Sequence, residues 1–131
     1  NKGSKNNIKK GMAVSSDAYL IGKIVEVNYT TSRVLLLSDL NSRTPVTIEP
    51  GSIQSILTGD GKNGGFIQYI KDNISIEQNS LVYTSGTGGL FKPGIPIGKI
   101  EIDKDKNNVN FFIDFTQLRY VQVSSYIEEE N

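Results

Sequence analysis

From Val109 to Phe115 the apolar residues fall on every second position: Val109, Phe111, Ile113 and Phe115, with Asn110 and Asp114 among those between them. A side-chain period of two is the signature of a strand with one buried face, not of a helix. Ile97–Asp103 repeats the pattern, with Lys99, Glu101 and Asp103 facing away from Ile100 and Ile102. Val34–Leu37 is continuously apolar, which predicts a short strand covered on both faces. Further strands are predicted at Met12–Val14, Leu20–Val27, Pro45–Ile48, Ile53–Leu57, Phe66–Ile70, Leu81–Thr84 and Leu118–Ser125. Polar, glycine-rich turns separate them, at 28–32, 59–65 and 103–108. No segment predicts a helix longer than a turn or two. Many short strands joined by polar turns imply a sandwich or a barrel, so the fold class is all-β.

The chain also repeats itself. Ile8-Lys-Lys-Gly-Met-Ala-Val14 returns as Ile76-Glu-Gln-Asn-Ser-Leu-Val82, and Ile21-Gly-Lys-Ile24 returns unchanged as Ile97-Gly-Lys-Ile100. At the second offset Leu35–Leu37 lies over Phe111–Ile113, and Arg43 over Arg119. Two similar small β-units follow, 1–62 and 63–131, with strand exchange between them allowed. Phe66–Ile70 precedes the second copy, and its counterpart in the first falls around and just before residue 1. The first unit is therefore expected to lack most of one strand, and the chain, which does not begin with Met, reads as a piece of something longer.

Composition removes most chemistry. The chain has 131 residues, enough for one ordinary domain or two very small ones. There is no histidine and no cysteine. Disulfides, thiolate chemistry and the commonest general base go with them. Fourteen basic and fourteen acidic residues cancel, so no field for a polyanion is implied. Lys2, Lys5, Lys9 and Lys10, and Glu128–Glu130, read as solvated ends. No apolar run approaches the roughly 18 residues of a membrane-spanning helix.

The stretch Thr84–Lys99 holds five glycines and two prolines. Gly94-Ile-Pro-Ile-Gly98-Lys99 has one spacer residue too few for a phosphate-binding P-loop, and Ile100 stands where Ser or Thr would hold magnesium. A dinucleotide fingerprint starting at Gly86 meets Phe91 at its last glycine, with no helix after it. Ser85 could act as a nucleophile only if Lys92 or Lys99 served as its base. The first copy makes the same connection through Ser15–Leu20 without the extra glycines, so the stretch is read as an enlarged strand-to-strand turn. Asp103 and Asp105 alternate with lysines, which opposes calcium. Arg33, Asp39 and Arg43 bracket a polar turn and suggest an internal ion pair. Asn28-Tyr-Thr30 and Asn73-Ile-Ser75 match the glycosylation sequon, too short a pattern to carry weight. The aromatic residues are not interleaved with a basic stripe, so nucleic acid is not an expected partner. No catalytic, cofactor or metal residue is assigned.

Gly11-Met-Ala-Val14, Ile21-Gly-Lys-Ile-Val25, Arg33-Val-Leu-Leu-Leu37 with Ser38-Asp39, Asn41-Ser-Arg43 and Pro45-Val46 resemble, in order and spacing, the bacterial rod shape-determining MreC family. Thr84-Ser-Gly86, Gly88-Gly89, Phe91 and Pro93-Gly-Ile-Pro-Ile-Gly98 continue the likeness, which runs from about Lys2 to near Tyr126. Asn79-Ser80 departs from the family's usual Gly-Asp at that point. The resemblance implies two small β-barrels in tandem, loosely like the double-barrel serine protease fold without its triad. It implies a non-catalytic scaffold of cell elongation on the extracytoplasmic, periplasmic face of the inner membrane, anchored by a segment not in this chain. The implied partners are a penicillin-binding transpeptidase, MreD and MreB, together with self-association. Two alternatives stand beside it. One is a cryptic serine hydrolase using Ser85. The other is a cell-wall glycan-binding module with a pocket of Tyr19, Tyr69 or Tyr83.

Overall fold

The computed structural model describes residues 2–68, 70, 73–118 and 120–124. Its strands are β1 (Ala13–Ser16), β2 (Tyr19–Val27), β3 (Ser32–Leu36), β4 (Arg43–Glu49), β5 (Ile53–Gly59), β6 (Gly65–Gln68), β7 (Leu81–Thr84), β8 (Pro96–Asp103), β9 (Lys106–Phe111) and β10 (Gln122–Ser124). Helical structure among the described residues is confined to single 3-10 turns at Ser4–Asn6, Thr87–Gly89 and Phe115–Gln117. The all-β expectation holds. Strands β4-β5-β6-β9-β8-β7 close into a barrel, whereas β10-β1-β2-β3 form an open four-stranded sheet. One sheet is thus a closed barrel, and the other, among the described residues, is open.

The internal echo has a structural counterpart. β1 and β7 are sixty-eight positions apart at both ends, and each breaks register at the same place, between Val14 and Ser15 and between Val82 and Tyr83. Gly22 and Gly98 each lie so close to the neighbouring strand that a Cβ would strike its backbone. The flanking isoleucines Ile21, Ile24, Ile97 and Ile100 are all buried.

A division at residue 62 does not follow the sheets. β4 and β5 precede it and belong to the closed barrel, while β10 comes from the end of the chain and pairs with β1. Pairing partners, not chain order, set sheet membership. The barrel core holds Val46, Ile48, Leu57, Ile67, Val82, Phe91, Ile97, Ile100 and Val109, joined by Ala13 and Leu20 from the open sheet and by Leu37 just after β3. Ile8, Val14, Ile21 and Ile24 form a second, smaller cluster, and Phe115 packs against both.

Three sequence expectations shift. The polar turn at 103–108 shrinks to Lys104-Asp105, both with positive φ, so Lys106, Asn107 and Asn108 extend β9. β3 is only half-buried along its length, because it is an edge strand and not a covered one. The ion pair of Arg33 is with Glu26 at 3.6 Å, not with Asp39. These two residues face each other across β2 and β3. Arg119 and the ends of the strand predicted at 118–125 lie partly outside the described residues.

β9 ends at Phe111, and Asp114 then caps the turn that follows. The Thr116 hydroxyl (2.6 Å) and backbone N–H (2.9 Å) both donate to its Oδ1, holding the carboxyl below its usual value of 3.8. A lowered folded-state value makes this contribution fully present above the unfolded value and lost as pH falls through the folded one. Thermal unfolding at pH 6 and near pH 2 should therefore show a smaller acid loss in Asp114→Ala than in the parent.

Candidate interaction surface

The glycine stretch connects β7 to β8. Thr84, buried at the end of β7, clasps it: its hydroxyl donates to the Lys92 carbonyl (2.6 Å) and accepts from Ile95 N–H (2.9 Å). Its backbone exchanges bonds with Gly94 and Ile95. Phe91 drops into the barrel core and Leu90 stays exposed at the tip. Gly86, Gly88, Gly89 and Gly94 all have φ between 68° and 85°, the left-handed region that glycine enters without penalty. The glycines serve the path of the chain, as the turn reading expects.

Ser85 Oγ accepts a hydrogen bond from Thr87 N–H (3.1 Å), and Lys92 and Lys99 are both exposed. Tyr19 packs against Phe112 with ring centroids 5.1 Å apart and the rings tilted by 43°, and Tyr83 is half-buried opposite Pro96. Tyr69 lies outside the described residues. Asn79 takes φ 67°, a conformation asparagine tolerates in place of glycine. Thr84→Val keeps the shape of the clasp but orphans the Ile95 N–H and Lys92 carbonyl. We expect a loss of about 1–3 kcal/mol in urea unfolding, with no change in the compactness of the native chain.

The open sheet offers a different surface. Between β3 and β10 runs a groove of about 930 Å³, floored by Ile8, Ile24, Val34 and Val123 and bordered by Lys2 and Tyr120. Tyr120 is 87% exposed and Val121 is 46% exposed. Leu37 N–H donates to Ile21 O (2.9 Å), so by antiparallel alternation Val34 and Leu36 turn their N–H and C=O groups away from β2, where the Leu36 carbonyl accepts from Asp39 N–H (3.0 Å). A free strand edge beside apolar side chains is built to receive another strand or a protein surface, not to perform covalent chemistry. Period and composition did not reveal this groove, because it depends on which strand pairs with β1.

Comparison with known proteins agrees with this geometry. The family model for the rod shape-determining protein MreC, barrel core, matches residues 1–125. The cell shape-determining protein MreC of Caulobacter vibrioides is 38% identical over 122 residues, covering 92% of this chain and 35% of that protein. The chain spans well under half of the first curated relatives it matches, 35 to 41% of their length. The crystal structure of MreC from Pseudomonas aeruginosa superposes with a TM-score of 0.85 at 26% identity, covering 95% of this chain and 85% of that one. A complex between penicillin-binding protein PBP2 and MreC from Helicobacter pylori contains the same fold, with a TM-score of 0.72 at 21% identity, covering 89% of this chain and 80% of that one. No helix among the described residues is long and apolar enough to cross a membrane. On the match from residue 1 to residue 125, this chain belongs to the rod shape-determining MreC family.

Proposed function

We propose that this chain is the β-domain of a scaffold for the cell-elongation machinery, binding a penicillin-binding transpeptidase on the extracytoplasmic side of the membrane. The family is one of non-catalytic shape-determining proteins, and the chain carries neither histidine nor cysteine. The observation that carries the reading is family membership over nearly the whole chain. The Helicobacter pylori complex supports a transpeptidase partner. A scaffold needs rigid surfaces rather than a proton relay, and a closed barrel beside an open sheet supplies them. Links to MreD and MreB, self-association, and a membrane anchor outside this chain belong to the same proposal.

A cell-shape assay separates this reading from a serine hydrolase. In the bacterium that encodes the protein, with the natural copy depleted, the full-length Ser85→Ala protein should restore normal cell shape as well as the parent does. Failure of a folded, normally abundant Ser85→Ala protein would overturn the non-catalytic reading.

A further inference from the structure

We propose that Asn63 is a site of spontaneous deamidation and that the Asp60 carboxylate restrains it. This goes beyond the scaffold reading and does not rest on it.

Asn63-Gly64 is the one Asn-Gly pair in the chain, and it lies in the turn that joins β5 to β6. Asn63 is exposed, so water reaches its side chain. The nucleophile is the Gly64 backbone nitrogen, which must approach Asn63 Cγ. Glycine leaves that nitrogen unshielded, and its conformational freedom lets the two atoms meet. A Cβ on Gly64 would stand 3.2 Å from both Asp60 Oδ2 and the Val109 carbonyl oxygen. Asn41 and Asn79 precede serines, whose side chains hinder the same approach.

The reaction balances with water alone. The Gly64 nitrogen gives up its proton and bonds to Asn63 Cγ. The Cγ–Nδ2 bond breaks, and the amide group takes up a proton and leaves as ammonia. Water then opens the cyclic imide at either carbonyl. Attack at Cγ gives aspartate. Attack at the main-chain carbonyl gives isoaspartate, with the backbone rerouted through the side chain. One water is consumed and one ammonia is released.

The same turn holds the restraint. Gly64 N–H (3.2 Å) and Lys62 N–H (2.7 Å) both donate to Asp60 Oδ1. A hydrogen bond to an anionic acceptor favours the proton-bearing nitrogen, the form that cannot attack. Asp60 N–H also donates to the Gly64 carbonyl (3.1 Å), which ties the glycine from its other end. The product places a new carboxylate in the turn that already holds Asp60. In the isoaspartyl form the main chain gains a methylene at residue 63, just ahead of Gly65, which pairs with both Gly59 and Val109 where β6 begins.

Peptide mass spectrometry tests this on the full-length protein, kept in its native state in mildly alkaline buffer made with heavy-oxygen water. Heavy oxygen should enter at Asn63 at least tenfold faster than at Asn41 or Asn79, with isoaspartate among the products. In Asp60→Ala the rate at Asn63 should rise at least threefold while the rates at Asn41 and Asn79 stay as they are. Similar rates at the three asparagines in the parent would overturn the site. An unchanged rate at Asn63 in Asp60→Ala would overturn the restraint. A rise shared by all three asparagines would overturn it as well, because it marks a general loosening of the fold. None of these outcomes bears on transpeptidase binding, so the two readings can fail separately.

Discussion

Gly98→Ala should destabilise the chain by about 3 kcal/mol, and Gly22→Ala, its symmetric partner, by clearly less. A Cβ at Gly98 would run into the Asn110 carbonyl oxygen and come within 2.9 Å of its carbon and 3.0 Å of Phe111 Cα, all backbone atoms that cannot rotate away. A Cβ at Gly22 meets the Leu35 carbonyl oxygen in the same manner. The two sites differ in what lies behind the neighbour. β9 is held on its far side by β6 within a closed barrel, whereas β3 is an edge and can give way. Urea midpoints for the two variants check the ranking. Equal losses would mean that β3 is held as firmly as β9.

Ile100→Ala is the other large effect. Ile100 is fully buried in the barrel core among twelve clustered buried residues. Removing its side chain deletes apolar contact and leaves a space that a closed barrel cannot collapse, at a cost of about 4 kcal/mol. For a chain of this length that lowers the thermal midpoint by roughly 10–15 °C. Ile24, its counterpart, belongs to a cluster of four buried residues that borders the groove. Ile24→Ala should cost about 2 kcal/mol, since the open sheet can relax around the gap. Calorimetry on both variants decides the matter, and a smaller loss at Ile100 than at Ile24 would contradict the assignment of the barrel as the dominant core.

Local pattern carried much of this fold. Leu81–Thr84 was delimited to the residue, and Ile97–Asp103 within one residue, because alternation and turn residues act over short stretches. The repeat made two related units legible, and the resemblance pointed to the family. Pairing was not legible. β10 has three residues and joins β1 from more than a hundred positions away, a contact no periodicity encodes. The partner of Arg33 depends on the register that sets it opposite Glu26, again a property of the assembled sheet. The repeat led to the expectation of a strand missing from the first unit, but that β10 would border the groove follows from the same long-range pairing. The glycine loop was legible as a turn because its motifs fail on spacing, but its clasp by Thr84 needed coordinates.

The central claim is that this domain works by holding a partner. Its most direct test is calorimetric titration of the folded chain into the soluble extracytoplasmic part of the elongation transpeptidase from the same bacterium. Saturable binding at a defined stoichiometry is the predicted result. No detectable association between two demonstrably folded proteins would contradict it.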